Sequence, residues 1–192
     1  MVYPRNARSL VAWLPVVPGD VVGMVGTHPP LQQSLAHAGA KVIDLPSEPS
    51  DDPSLPGPLA HLVVIAAEAD DPWLAPGGAK TVRPGGTVLV GVRHRWNALR
   101  RTGLSAGQLE RKLARAGVAD CRVLGASRSL DNLRALVPLD AALMRWYAEH
   151  SFLPRSYRDA LAIGLLCRLG ERAPLGALFP VLIGIGTVRT PA

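Results

Sequence analysis

The stretch that decides the fold is residues 20–46, DVVGMVGTHPPLQQSLAHAGAKVIDLP. Its first seven residues form a short run, mostly apolar and rich in valine, which is typical of a strand buried on both faces of a parallel sheet. Pro29 and Pro30 suit the first turn of a helix, with Thr27 as its predicted N-cap and Gly39 as its predicted stop. The run AKVIDLP then predicts a second strand. This order indicates a strand–helix–strand unit with parallel strands.

Strand-like and helical patterns continue to alternate on the C-terminal side of that unit. We therefore predict an α/β fold, a truncated, doubly wound and mostly parallel sheet with a helical C-terminal part and a closing strand. A chain of 192 residues has room for one domain, which we expect to span 1–192. The predicted strands are HLVVIAAEAD, TVLVGVRHR after a turn at RPGG, CRVLGAS and a closing strand near 178–188, and the predicted helices are SAGQLERKLARAG, about 139–149 and 155–169, with a loop at 46–58 and a short helix within DDPWLAPGGAKTV.

Composition narrows the class of protein. Hydrophobic residues make up 48% and charged residues 19%, as in a packed globular protein. The net charge of +6 comes mostly from dispersed arginines, and the Arg-, Ala- and Gly-rich usage is typical of a GC-rich bacterial genome. Dispersed charge bears on solubility and association, so we do not expect nucleic-acid binding. Cys121 and Cys167 stand apart from any CxxC or Cys/His cluster, so neither a metal site nor a disulfide framework is predicted.

Neither end of the sequence predicts a membrane segment. Pro15 and Pro18 interrupt the apolar N-terminal stretch, and no small-residue cleavage site follows it, so we expect a cytoplasmic protein. The most apolar run, LGALFPVLIGIGTV, is too short to cross a bilayer and is interpreted as a buried strand.

Three consecutive segments carry a resemblance to a known family. They are VRPGGTVLVGVRHRWNALR, SAGQLERKLARAGVADCRVLGA and SRSLDNLRALVPLD, at 82–100, 105–126 and 127–140. In this order they resemble the class I S-adenosylmethionine-dependent methyltransferases, and the last segment is similar to methyltransferase-like proteins of bacterial specialised-metabolite clusters. The likeness covers most of residues 20–140. It implies a Rossmann-like sheet with the ligand site beyond the carboxyl ends of its strands.

The resemblance also implies where S-adenosylmethionine would bind. In the family, the first strand ends in a glycine-rich loop that approaches the methionine part of the cofactor; here only Gly23 and Gly26 stand in that region. The second strand ends in an acid that accepts hydrogen bonds from the ribose, and Asp44 matches it. Pro29 and Pro30 each remove an amide donor from the helix start that follows the loop. S-adenosylmethionine is therefore the implied cofactor, but these departures favour a chain that binds none.

The adenine side of the family's pocket has no counterpart in the sequence. Between its second and fourth strands the family has a helix, an edge strand with an adenine-contacting acid and another helix. Those elements need roughly twenty or more residues. The interval from Asp44 to His61 is shorter, so we predict that this side of the pocket is deleted.

Three residues are candidates for catalysis. Glu68 lies near the carboxyl end of the third strand, where a carboxylate could act as a general base or position an amine. His94 follows the fourth strand in a basic stretch, and an imidazole there could deprotonate a hydroxyl or bind an anion. His28 follows the first strand, beside the expected cleft. Glu68 and His94 each have a plainer interpretation as solvated surface residues.

The C-terminal part concentrates aromatic residues. Aromatic and arginine side chains favour interfaces because they bury a large area and keep a polar group. We therefore predict an association surface there, for a biosynthetic enzyme partner or a second copy of the chain, with core packing as the alternative. Its aromatic members are Trp146, Tyr147, Phe152 and Tyr157.

Three functions remain open at this point. The first is a methyltransferase-like protein with a degenerate cofactor site that serves as a partner or accessory protein in a bacterial specialised-metabolite pathway. The second is an active methyltransferase for a small molecule or peptide, which would use Asp44 for the ribose and Glu68 or His94 near the acceptor. The third is a repurposed, non-methylating enzyme of isomerase or cyclase type in the emptied cleft.

Overall fold

The structure, a computed structural model, describes residues 8–49, 57–68, 70–76, 78–93, 103–126, 136–139 and 179–189. Within them lie three α-helices, two short 3-10 helices and seven strands. The helices are α1 Arg8–Val11, α2 Pro29–His37 and α3 Ala106–Arg115, the 3-10 helices are Pro72–Leu74 and Gly78–Thr81, and the strands are β1 Val21–Val25, β2 Lys41–Leu45, β3 Leu59–Ala67, β4 Val82–Arg93, β5 Val118–Ala126, β6 Leu136–Pro138 and β7 Val181–Val188.

These strands form one mixed sheet in the order β2-β1-β3-β4-β7-β5-β6. The first four are parallel to one another, whereas β7 runs antiparallel between β4 and β5, and β6 pairs antiparallel with β5. The α/β class, the mostly parallel sheet and the closing strand are confirmed. This order places β1 between β2 and β3, so their carboxyl ends lie side by side at one edge of the sheet.

Both faces of the sheet are covered. On one face α3 packs through Leu109 and Leu113, and on the other α2 packs through Leu31 and Leu35. Side chains alternate between the two faces along each strand, so neighbouring residues of β1 contribute to different halves of the core. The two halves of the core bury all four of these leucines completely.

The structure also differs locally from the sequence predictions. The RPGG segment is part of β4 and not a turn before it: the pairing advances from Val82 to Thr87 while β3 advances only from Leu59 to His61. The extra residues form an irregularity in the strand, which Gly85 accommodates with φ +76. The short helix α1 was not predicted, because its four residues are too few to show a helical period.

None of the helices in the described part of the chain is long and apolar enough to cross a membrane. Most of the two predicted C-terminal helices lies outside the described residues, as do the aromatic residues of the predicted association surface.

Candidate functional site

The candidate site lies at the carboxyl ends of β1, β2 and β3. Ligands of open α/β sheets bind beyond this edge, because the loops there are free to form a crevice. Gly26 follows β1, Asp44 is the next-to-last residue of β2 and Glu68 follows β3. The sheet therefore brings three of the predicted site residues to one edge.

Gly23 has a packing explanation. It lies in the middle of β1, paired with Ile43 on one side and Leu62 on the other. A Cβ at this position would lie 2.5 Å from Cδ1 of Leu59 and 2.6 Å from Cδ1 of Leu45. Two leucines thus fill the space that a side chain would need. A contact of Gly23 with a cofactor stays a prediction.

Gly26 has a conformational explanation. Its φ is +84, a left-handed backbone conformation that residues other than glycine rarely adopt. The backbone also approaches β3 closely here, since a Cβ on Gly26 would lie 2.9 Å from the carbonyl oxygen of Ile65. Gly26 therefore turns the chain sharply out of β1 and into α2.

His28 forms the start of α2. The imidazole is 1% exposed, and its Nδ1 accepts a hydrogen bond from the Leu31 amide at 3.2 Å. It is the N-cap of the helix, so the prediction that Thr27 has this role is wrong. The reason is that Pro29 and Pro30 occupy the first two helical positions, which makes the residue before them the cap. A catalytic role for His28 stays a prediction.

The donors at this helix start are accounted for within the chain. Pro29 and Pro30 carry no N–H. The Leu31 amide contacts both Nδ1 and the carbonyl oxygen of His28, and the Gln32 amide donates to the same carbonyl at 3.1 Å. A helix N-terminus normally offers several such groups to an anion. Here the first two helical positions are prolines, and the amides of the next two are hydrogen-bonded to His28.

Asp44 is exposed at the end of β2, and its carboxylate already has a partner. Its Oδ1 accepts a hydrogen bond of 2.8 Å from the side-chain amide of Gln32. A ribose hydroxyl at Oδ1 would compete with that amide. The sequence did not indicate this contact, because it depends on how α2 is rotated against the sheet.

Acidic side chains follow β3. Asp71 Oδ1 accepts the amide of Trp73 at 2.9 Å and so begins the first 3-10 helix. Burial raises the pKa of Asp71 above its usual range, and the carboxylates of Asp70 and Glu68 act in the same direction. The hydrogen bond from Trp73 and the charge of Lys112 oppose that rise. Among the described residues, no group of His, Cys, Asp and Glu has the arrangement of a metal site.

Trp73 connects two sides of this edge. Its indole N–H donates to the carbonyl oxygen of Pro46 at 3.1 Å, and the ring is 3% exposed. The segment after β3 is thereby held against the end of β2. Trp73 was not among the predicted residues of the site. In the sequence, a single tryptophan between Pro72 and Leu74 indicates no more than a core residue.

His94 lies outside the described residues, so its predicted role stays a prediction. Arg93 ends β4 and is the last described residue before it. The geometry therefore joins Gly26, Asp44 and Glu68 at one edge, and the buried His28 follows Gly26 at the start of α2.

Comparisons with known proteins place the fold. No family model matches the chain, and no curated protein sequence matches it. Solved structures do match. A SAM-dependent methyltransferase from Thermotoga maritima is 12% identical with a TM-score of 0.50, covering 95% of this chain and 87% of its own. A methyltransferase from an antibiotic biosynthesis pathway of Anabaena variabilis is 12% identical with a TM-score of 0.50, covering 95% and 96%.

A third structure is larger. Phosphoethanolamine N-methyltransferase 2 from Haemonchus contortus, in complex with phosphomonomethylethanolamine and S-adenosylhomocysteine, is 12% identical with a TM-score of 0.54. The match covers 94% of this chain and 52% of that protein. Identities this low establish the fold alone. The chain has a class I methyltransferase-like fold, as the sequence resemblance implied.

Proposed function

We propose that this chain, which has a class I methyltransferase-like fold, has a degenerate cofactor site and acts as a partner or accessory protein in a bacterial specialised-metabolite pathway. The observation that carries the proposal is the start of α2. Pro29 and Pro30 carry no N–H, and the Leu31 amide is already hydrogen-bonded to His28. The cofactor's carboxylate would therefore meet a helix start at which two amide donors are missing and the next is already hydrogen-bonded.

The physical consequence is a large loss of cofactor affinity. A carboxylate that leaves water needs hydrogen bonds in exchange, and an unpaired buried charge costs several kcal/mol. Amides at a helix N-terminus normally supply those bonds together with the favourable end of the helix dipole. Displacing His28 to recover the Leu31 amide would give up the N-cap, at about 1 kcal/mol, and would move a buried imidazole.

The other half of the site supports the same proposal. β2 is the terminal strand of the sheet in the described part of the chain, and residues 46–58 alone separate it from β3. That interval is too short for the helix, edge strand and second helix that the resemblance implies. Gln32 also occupies one oxygen of Asp44. Neither the ribose nor the adenine part of the cofactor would meet residues already arranged to bind it.

An active methyltransferase is the second candidate, and the position of Asp44 favours it. The carboxylate is exposed at the end of β2, beside the turn at Gly26, where the family's ribose-binding acid stands. The hydrogen bond from Gln32 is made to Oδ1 of this carboxylate and not to Oδ2. Under this candidate S-adenosylmethionine would displace Gln32, and Glu68 would lie near the acceptor.

Thermal unfolding separates the two candidates. Wild type, Asp44→Ala and the control Lys41→Ala, an exposed residue of the same strand, are melted with and without about 1 mM S-adenosylhomocysteine. A Kd of about 10 µM would add about 2.7 kcal/mol, which is roughly 5–10 °C in Tm. We expect no ligand-dependent shift in any of the three proteins. A shift in wild type and Lys41→Ala that disappears in Asp44→Ala would contradict the proposal and establish the second candidate.

A further inference from the structure

The outer side of β2 is an open strand edge in the described part of the chain. β2 comes first in the strand order, so β1 is its single neighbour there. Along a strand, successive residues direct their backbone N–H and C=O groups to opposite sides. The Lys41 amide donates to the carbonyl oxygen of Asp20 on the β1 side, and Ile43 points the same way. The backbone groups of Val42 and Asp44 therefore point outwards.

Apolar side chains on both faces of β2 are incompletely covered. Val42 is partly buried against the half of the core that includes α2, and Ile43 is partly buried against the half that includes α3. Both halves of the core thus continue to this edge. A strand added beside β2 would cover apolar surface on each face and would pair with the outward backbone groups.

The residues that flank these outward groups limit the possible pairings. The Ala40 amide already donates within the chain, at 3.1 Å. Pro46 has no N–H, and its carbonyl oxygen accepts the indole N–H of Trp73. The outer edge therefore offers two complete residues, Val42 and Asp44, each with one donor and one acceptor.

A second copy of β2 satisfies all of these groups in one register. A twofold axis perpendicular to the sheet makes the two strands antiparallel and pairs one residue with its own copy. With Ile43 at the axis, Val42 of each copy lies opposite Asp44 of the other, and four hydrogen bonds form. An axis at Val42 would need the committed amide of Ala40. An axis at Asp44 would need the missing amide of Pro46 and would place two carboxylates opposite each other.

We propose that this chain forms a homodimer in which two copies of β2 pair antiparallel about Ile43, so that one sheet runs through both copies. The charges along β2 fit this arrangement, because the strand begins at the exposed Lys41 and ends beside the exposed Asp44. Antiparallel pairing places the basic start of each strand beside the acidic end of the other. Pairing at this edge does not depend on whether the cofactor site is degenerate.

Sedimentation equilibrium of the whole chain tests the proposal. A pair of five-residue strands makes a small interface, so we expect a weak dimer whose population rises with concentration. The apparent mass should rise from 20.3 kDa towards twice that value between about 1 µM and about 1 mM protein. A mass that stays at 20.3 kDa over this whole range would overturn the proposal.

Val42→Pro shows whether the β2 edge forms the contact. Proline removes an N–H that β1 does not use, and edge strands tolerate proline where that N–H faces outwards. The dimer would lose two of its four hydrogen bonds, so we expect its Kd to rise about a hundredfold. The matched control, Val42→Ala, keeps the N–H and should stay within about fivefold of wild type. A dimer that Val42→Pro leaves intact would overturn the proposal.

Hydrogen exchange of the wild type decides the question if Val42→Pro does not fold. The amides of Val42 and Asp44 should exchange fast in dilute protein and slow down as the dimer forms. The Ile43 amide points towards β1, so it should stay protected at every concentration and serves as the internal control. Equal exchange of Val42 and Asp44 in monomer and dimer would mean that the copies meet elsewhere, which would also overturn the proposal.

Discussion

At the scale of single residues, one glycine determines how the chain leaves β1. Gly26 combines φ +84 with an approach of 2.9 Å between its Cβ position and the carbonyl oxygen of Ile65. Either property disfavours a side chain, and together they restrict the position to glycine. The sharp turn directs the next residues into the buried cap at His28. The shape of the candidate site thus begins with a backbone conformation.

We predict that Gly26→Ala destabilises the protein by about 2–4 kcal/mol. The left-handed conformation accounts for about 1–2 kcal/mol of this loss. Steric crowding of the new Cβ against Ile65 adds a cost of similar size. Urea unfolding gives the free energy. The matched control is Gly57→Ala, because Gly57 has φ +85 with no atom within 4 Å of its Cβ position. Equal losses in the two variants would show that crowding at Ile65 contributes nothing.

Asp71 offers a test of the acidic stretch after β3. Its pKa is raised, so the folded state disfavours the ionised form, and stability falls as the pH rises through 3.8 towards the folded value. Asp71→Asn removes that cost and can still cap Trp73 through its amide oxygen. Because the side chain is partly exposed, we expect a gain of only about 0.5 kcal/mol at neutral pH and none well below 3.8. Urea unfolding of wild type and Asp71→Asn at neutral pH and well below pH 3.8 checks this. A lower free energy of unfolding for Asp71→Asn at neutral pH would contradict it.

At the scale of elements, α3 shows a helix that the local sequence specifies well. Ser105 Oγ accepts the amide of Gln108, and the Gln108 side chain accepts the amide of Ser105, which completes a capping box. The helix then packs closely on β7, since a Cβ at Gly184 would lie 2.5 Å from Cδ1 of Leu113. Local capping and a glycine on the facing strand together fix the position of the helix.

Loss of the capping box should weaken the fold by a measurable amount. We predict that Ser105→Ala lowers the free energy of unfolding by about 1 kcal/mol, because the Gln108 amide loses its hydroxyl acceptor. Gln108→Ala should cost less, and the double variant should cost less than the two single losses together. Denaturant titration of the three proteins gives the values. Additive losses would mean that the two hydrogen bonds form independently.

At the scale of the whole molecule, the sheet followed from the sequence, whereas the contacts of the site did not. Apolar runs bounded by Pro and Gly predicted β1, β2 and β3 because burial on both faces leaves a plain local pattern. Asp44 was placed correctly at the end of β2 for the same reason. The bond from Gln32 to Asp44 and the cap at His28 depend on the packing of α2, which no local pattern records.

The chain has a methyltransferase-like fold, and we propose that it does not bind S-adenosylmethionine. Isothermal titration calorimetry of the purified wild type with S-adenosylmethionine and S-adenosylhomocysteine tests it most directly. We predict no saturable heat up to about 1 mM ligand, which limits the binding free energy to less than about 4 kcal/mol. Binding with a Kd of about 1–10 µM would correspond to roughly 7–8 kcal/mol. That result would contradict the degenerate site and make methyl transfer the leading function.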